Sequence, residues 1–262
     1  ATGTGQLRIG TDQGSGSTTG TNPGNFLLLS NTTNTITADF INIGDNVHNL
    51  NSVLQLGTGI NNINVDTINV AGVAGTARRG SGAIQFTAPG GAGLTTFRNQ
   101  AGSGAGALNI GVNNMNTGSN ITGLVNLTGH TIDAQFSTVQ VGVNNGTTSG
   151  NGATTYNHSL SFDTGSLTIT TLLRIGRKTS NSTNNTHLNS VNIGGGTANI
   201  ATIDIAAHTS TAGLVQGTLN ITGGTVTVAG NLTMGSASNA TGNATSTVNL
   251  NGGTLQVAGN IV

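Results

Sequence analysis

The chain has no cysteine, no tryptophan and no glutamate, and its 262 residues include a single lysine, a single tyrosine and two prolines. Without cysteine there is no disulfide framework and no thiolate chemistry, and a chain crossing an oxidising compartment is spared mispairing. Charged residues make up 5% of the chain and the net charge is zero, against about 25% in average usage. Nucleic acids and anionic membranes are recognised through a basic field, so neither is expected as a partner. No apolar run approaches the roughly 18 residues of a membrane-spanning helix, and membrane insertion is not expected. The longest run, Phe26 to Leu29, reads as a buried strand. No charged segment followed by an apolar one opens the chain at Ala1, so it reads as the processed product of an exported protein.

What the chain does contain is threonine (45), glycine (43) and asparagine (36), together 124 of its 262 residues. The hydrophobic residues, 34% of the total, alternate with polar ones, and disordered chains lack that order. Near the C-terminus one phrase occurs three times: Val191-Asn-Ile-Gly-Gly-Gly-Thr-Ala, Leu219-Asn-Ile-Thr-Gly-Gly-Thr-Val and Val248-Asn-Leu-Asn-Gly-Gly-Thr-Leu, at offsets of 28 and 29 residues. A period in the range of roughly 20–50 residues marks a solenoid, in which each repeat buries its apolar face against its neighbours.

Within one repeat, Leu219 and Ile221 alternate with polar residues, Gly223-Gly224 turns the chain, and Val226 and Val228 alternate again. Ala229-Gly230 then turns it a second time, before Leu232 and Met234. Three short strands and two corners predict one coil of a parallel β-helix, with like residues stacked at about 4.8 Å. The third strand recurs as Leu7-Arg-Ile9, Ile41-Asn-Ile43, Ile68-Asn-Val70, Val139-Gln-Val141, Leu173-Arg-Ile175, Ile203-Asp-Ile205 and Leu232-Thr-Met234. The 71-residue gap after Ile68 must hold one more coil, whose apolar positions are Ile84, Phe86, Leu94, Phe97, Leu108 and Ile110. The expectation is an all-β solenoid of about eight coils forming one domain over residues 1–262. Glycine serves the corners because it takes positive φ without steric cost, and stacked asparagines can hydrogen-bond from coil to coil.

The stretch from Leu219 to Gly235, Leu-Asn-Ile-Thr-Gly-Gly-Thr-Val-Thr-Val-Ala-Gly-Asn-Leu-Thr-Met-Gly, resembles the autotransporter-associated β-strand repeats of large bacterial surface and secreted proteins. The resemblance is best over roughly 160–262. It implies a right-handed β-helix outside the cell or on its surface, and it carries no catalytic motif to transfer. Residues 1–262 are not expected to include the C-terminal membrane barrel of full-length members, so self-translocation by these residues is not expected.

Catalytic and metal-binding patterns are sparse. The seven acids, Asp12, Asp39, Asp45, Asp66, Asp133, Asp163 and Asp204, are scattered at mostly one per coil. A glycosidase needs two carboxyl groups about 5–9.5 Å apart. Asp133 and Asp163 fall in successive coils, but both are read as turn residues. The histidines, His48, His130, His158, His187 and His208, are read as solvated loop residues, with His187 and His208 the pair able to approach across coils. The segment Gly102 to Gly106 lacks the lysine of a phosphate-binding loop, and Gly194-Gly195-Gly196 is not followed by the aspartate of a calcium-binding repeat. Arg78-Arg79 and Arg177-Lys178 are read as solubility charges. The 11 Asn-x-Ser/Thr sequons, among them Asn31, Asn120, Asn181, Asn231 and Asn243, follow from this composition. No catalytic residue, cofactor or metal is expected.

The ends carry the functional expectation. The chain opens within a third strand at Leu7, Arg8 and Ile9 and stops at Ile261 and Val262, after Leu255 and Val257 have completed the second strand. These complementary ends could meet head to tail, and a contact that does not close generates a filament. The expected function is therefore that of a structural, non-enzymatic subunit whose partner is itself, extracellular or on a bacterial surface. A monomeric adhesin or passenger fragment that binds surface glycans is the alternative, and an ice-binding protein a more remote one. Thr225-Val-Thr227 and Thr168-Ile-Thr170 fit the hydroxyl ladder that ice binding needs, whereas Thr254-Leu-Gln256 and Thr202-Ile-Asp204 do not.

Overall fold

The computed structural model describes residues 5–10, 25–44, 51–72, 80–112, 121–144, 155–179, 186–209, 213–235 and 243–262. Asp12, Pro23, Asp45, His48, Arg78, Arg79, Asn120 and Asn181 lie outside these residues. Every regular element described is a strand. The chain enters on β1 (Gln6–Ile9), and the first rung is β2 (Asn25–Leu28) with β3 (Thr33–Ile43). The second is β4 (Asn51–Leu56) with β5 (Ile60–Val70), and the third is β6 (Ser81–Phe86), β7 (Leu94–Arg98) and β8 (Gly106–Ile110). The fourth is β9 (Ile121–Leu127) with β10 (Thr131–Asn144), and the fifth is β11 (Thr155–Phe162) with β12 (Gly165–Lys178). The sixth comprises β13 (Thr186–Ile193), β14 (Thr197–Ile200) and β15 (Ile203–His208), and the seventh β16 (Leu214–Ile221), β17 (Thr225–Val228) and β18 (Leu232–Met234). The last is β19 (Asn243–Leu250) with β20 (Thr254–Val257), after which Ile261 bridges to Leu232.

All pairings between these strands are parallel, which makes the fold a β-solenoid. The first strands of the rungs form one eight-stranded sheet, in the order β19-β16-β13-β11-β9-β6-β4-β2. The remaining strands form the second sheet, bounded by β1 and β20. Six rungs of the eight-stranded sheet have a neighbour on both sides, so about six turns are fully enclosed. The sequence-based count of about eight includes an open rung at each end.

Register is set by the inward apolar positions, because a slip of one residue would turn every core side chain to solvent. One column runs from Leu7 through Ile41, Ile68, Leu108, Val139, Leu173, Ile203 and Leu232 to Ile261. Its members from Ile41 to Leu232 are all buried. In the repeat phrase, Leu219 pairs with Val248, Ile221 with Leu250, Val226 with Leu255 and Val228 with Val257, as the offset of 29 predicts. Leu250 is nevertheless 53% exposed, because no described rung lies beyond β19 to cover it.

Several sequence-based expectations are corrected. The second and third strands run together as one in β3, β5, β10 and β12. These rungs bend without a glycine corner, and β10 shifts register between Phe136 and Thr138. Leu94 is exposed, and Thr95 takes the inward position beside Phe97, where its hydroxyl accepts a hydrogen bond from Asn61 Nδ2 at 3.1 Å. Phe26 and Leu28 point outward from β2 and are about 60% exposed, while Leu27 and Leu29 reach the core. The threonine register also differs. The partner of Thr225 in the fifth rung is, through Thr197, Ser166, and the partner of Thr227 is, through Asn199, Thr168. A hydroxyl column therefore runs through Ser166, Thr197, Thr225 and Thr254, while the adjacent one is broken by Asn199 and Gln256.

The outward faces carry the asparagine ladders that the composition suggested. Asn69 donates to Asn42 at 2.8 Å, Asn109 to Asn69 at 2.9 Å and Gln140 to Asn109 at 3.1 Å. On the other sheet Asn249 donates to Asn220 and Asn220 to Asn192, both at 2.8 Å. Each amide is donor and acceptor at once, so a column satisfies itself.

A second regularity follows the third-strand phrases, at the residue after Ile9, Ile43, Val70, Ile110, Val141, Ile175, Ile205 and Met234. Gly10, Gly44, Gly111, Gly142, Gly176 and Gly235 have positive φ there, and at the same place Ala71 and Ala206 are the two non-glycine residues described with positive φ, at 56° and 55°. A left-handed residue at this corner redirects the chain towards the next rung. The space beyond decides the residue type. A Cβ on Gly142 would lie 1.6 Å from Asn189 Oδ1, and one on Gly111 2.2 Å from the His158 ring. The Ala71 methyl instead lies beside Gly123, which has no side chain to meet it.

Candidate functional site

The described carboxylates are each tied to a local partner. Asp133 lies within β10, not at a turn; it pairs with Arg98 and accepts from Ser166 Oγ at 3.1 Å. Asp163 occupies the corner after β11 and accepts the Gly129 N–H with both oxygens at 2.9 Å. Asp204 pairs with Arg174 Nε at 3.0 Å on the outer face. Asp39 and Asp66, 27 residues apart, are brought together by Gln100, whose side-chain amide donates to Asp39 at 2.6 Å and whose backbone N–H donates to Asp66 at 2.8 Å. Sequence spacing across coils held that signal, but the glutamine that joins them comes from the loop after β7. Among the described residues no group of three or more metal-ligating side chains is placed to hold a metal ion.

The histidines overturn their reading as solvated loop residues. His130, His158, His187 and His208 are all buried, because the alternation of their strands or turns points them inward. His130 stacks on Phe86 with ring centroids 3.7 Å apart, and its Nε2 donates to Ala88 O at 2.8 Å. The other three, on β11, β13 and β15, converge near Lys178 of β12. This lysine is fully buried on β12 and is not the solubility charge expected of it. In register, Lys178 sits between Asn144 of β10 and His208 of β15. Opposite them, Tyr156 stacks on His187 with centroids 4.7 Å apart, and His158 pairs in register with Asn189.

The electrostatics of this corner follow from burial. Desolvation pushes the His158 pKa down from 6.5 to about 4. His187 falls to about 3 through desolvation first, then the fields of His158, Lys178 and His208. Burial likewise lowers Lys178 from 10.5 to about 8. His158 Nδ1 accepts the Gly123 N–H at 3.1 Å, so its own proton resides on Nε2. Neither His158 Nε2 nor His187 Nε2 meets a hydrogen-bond partner among the described residues. The approach of His187 and His208 was legible from spacing, whereas the recruitment of Tyr156, Lys178 and Asn144 was not, since each looks like a loop residue in sequence.

At the ends, Leu7 is half-buried, Ile9 is buried, and Arg8 is exposed with its guanidinium 5.5 Å from the Phe40 ring centroid. Leu255 and Val257 are half-buried, and Ile261 and Val262 are 62% and 63% exposed. Leu7, Leu27, Leu29 and Ile36 are only partly buried against the core at one end, as are Val248, Leu255 and Val257 at the other, where Leu250 and Ile261 are exposed. No helix among the described residues is long and apolar enough to cross a membrane.

Comparison with family models, with curated proteins and with solved structures finds no match to this chain.

Proposed function

We propose that the chain is an exported structural β-solenoid whose rungs are continued at the ends by those of further copies, giving a head-to-tail extracellular filament or sheath. The observation that carries this reading is the pair of outermost described rungs, whose strands have a described neighbour on one side only. Among the described residues, β1 and β2 on one side and β19 and β20 on the other each present one strand edge with no strand beside it, and aliphatic side chains of the core column there are partly uncovered. Natural edges are commonly blunted by charge, yet the four edge strands carry one charged residue among them, Arg8. Ile261 and Leu7 belong to one column, so stacking would extend it without a break in register. Each aliphatic side chain so covered contributes roughly 1.5–3 kcal/mol before ordering costs. The resemblance to autotransporter-associated repeats supports a bacterial surface location.

Sedimentation and electron microscopy of the 262-residue chain test the proposal. Rods that lengthen with concentration are expected, and Ile261→Asp or Leu7→Lys is expected to leave folded subunits that do not elongate. A monodisperse monomer at high concentration would refute it. That result would favour the glycan-binding reading, which draws on an open groove of about 310 Å³ on the outer face, lined by Leu188 and by polar residues that include Thr122, Asn157, Ser159, Ser190 and Gln216.

A further inference from the structure

We propose that His158 and His187 form an acid-operated latch in the middle of the rod, closed while both rings are uncharged and opened by their protonation. The latch lies where the third to sixth rungs meet at one corner. The His158 ring fills the space left by two missing side chains: a Cβ on Gly111 would stand 2.2 Å from it and one on Gly123 2.8 Å from Nδ1. Its Nδ1 is already committed as acceptor to the Gly123 N–H. A second proton can enter only at that nitrogen, where it would set donor against donor across the joint between β9 and β11. The ring is 2% exposed, so bulk solvent does not reach it to replace the lost partner.

His187, in the next rung, is pressed against the Tyr156 ring and is itself 3% exposed. The groups facing the pair can be named element by element. They are Gly111 after β8, Ile121 and Gly123 from β9, Asn144 from β10, Tyr156 from β11, Lys178 from β12, Asn189 from β13, His208 from β15 and Val215 from β16. Tyr156, Lys178 and His208 are the titratable ones, and no described carboxylate on these elements is among them. Asp133 and Asp204 lie on the outer face, held by Arg98 and Arg174. A cation formed on His187 therefore meets the fields of His158, Lys178 and His208, and one formed on His158 meets the cost of desolvation. The folded state holds both imidazoles below their ordinary pKa. The opened chain takes up protons that the closed one refuses, so closure is favoured above pH 6.5 and is lost as pH falls through about 4 towards 3.

Hydrogen exchange of the full chain, followed by mass spectrometry at pH 7 and pH 4 and corrected for intrinsic rates, tests the latch. Protection over 121–144, 155–179 and 186–209 is expected to fall at least tenfold more than over 213–235. His158→Gln, whose side-chain oxygen can accept the Gly123 N–H without titrating, is expected to reduce that difference. A uniform loss along the rod, or an unchanged difference in His158→Gln, would overturn the proposal. Titration of the ring nitrogens by NMR in the unaltered protein decides the same point independently of any variant. Midpoints near 4 and 3 with simultaneous loss of Gly123 protection support the latch, and a His158 midpoint near 6.5 in the folded state refutes it.

Discussion

Replacing Gly142 with alanine isolates the force that shapes every corner of this rod. Gly142 has φ of 67°, and the added Cβ would lie 1.6 Å from Asn189 Oδ1 and 2.3 Å from its Cγ. Asn189 is 3% exposed and its Nδ2 donates to Gln216 O at 3.0 Å, so the side chain has no free path aside. Left-handed backbone costs an L-residue roughly 1–2 kcal/mol, and overpacking a filled site adds roughly 1–3 kcal/mol. Loss of glycine's freedom in the unfolded chain returns about 0.4–1 kcal/mol. The expected net destabilisation is about 1–4.5 kcal/mol. Ala206→Gly is the matched control at the same corner. Relief of backbone strain there is offset by the greater unfolded-state entropy of glycine and by a lost buried methyl worth about 0.8 kcal/mol, so the expected change is within about 1 kcal/mol of zero. Urea unfolding reads both, with the midpoint compared at unchanged slope because repeat arrays can lose two-state cooperativity. A Gly142→Ala midpoint equal to that of the unaltered chain would refute the argument that space beyond the corner, with positive φ, dictates glycine.

Three further outcomes are expected. Val228→Asp places an unpaired carboxylate in a fully buried position and should cost about 3–5 kcal/mol; urea unfolding checks it, and a cost below 1 kcal/mol would contradict the inward column. Asn220→Ala removes both hydrogen bonds that join Asn192 to Asn249 through it and should cost about 1–2 kcal/mol, measured as a lowered thermal midpoint beside Asn243→Ala as an exposed control. The folded-state pKa of Lys178 is held below its unfolded value, so stability should rise as pH climbs from about 8 to 10.5, and Lys178→Met should flatten that slope in urea titrations at constant ionic strength.

The repeat was legible because a solenoid writes its geometry into sequence. The offset of 29 between Leu219 and Val248 is the pairing itself, and the third-strand phrases from Leu7 to Leu232 stack as written. Even the irregular third rung was visible through Ile84, Phe97 and Leu108. What the phrases concealed was the shape between them. Whether Phe136 and Thr138 belong to one bent strand or two depends on a one-residue register shift that no glycine or proline announces. Burial of Lys178 and the histidines was hidden for another reason. His158 continues the alternation of Tyr156, Leu160 and Phe162, but Lys178, His187 and His208 lie at the ends of their apolar alternation, where hydropathy gives little inward direction. Only the register that places Lys178 beside Asn144 and His208 shows that the interior continues past the aliphatic columns.

The parallel pairing has a mechanical consequence. Backbone hydrogen bonds between rungs point along the rod, so tension applied at the two ends loads all bonds of one rung-to-rung joint side by side, and successive joints one after another. The tensile strength of such a rod is that of its weakest joint and does not grow with the number of rungs. Lengthening it by further rungs adds reach and compliance without adding strength. The joint between β10 and β12, both 14 residues long, is among the broadest, so rupture under tension should begin nearer the ends, where β1 meets β3 over only four residues.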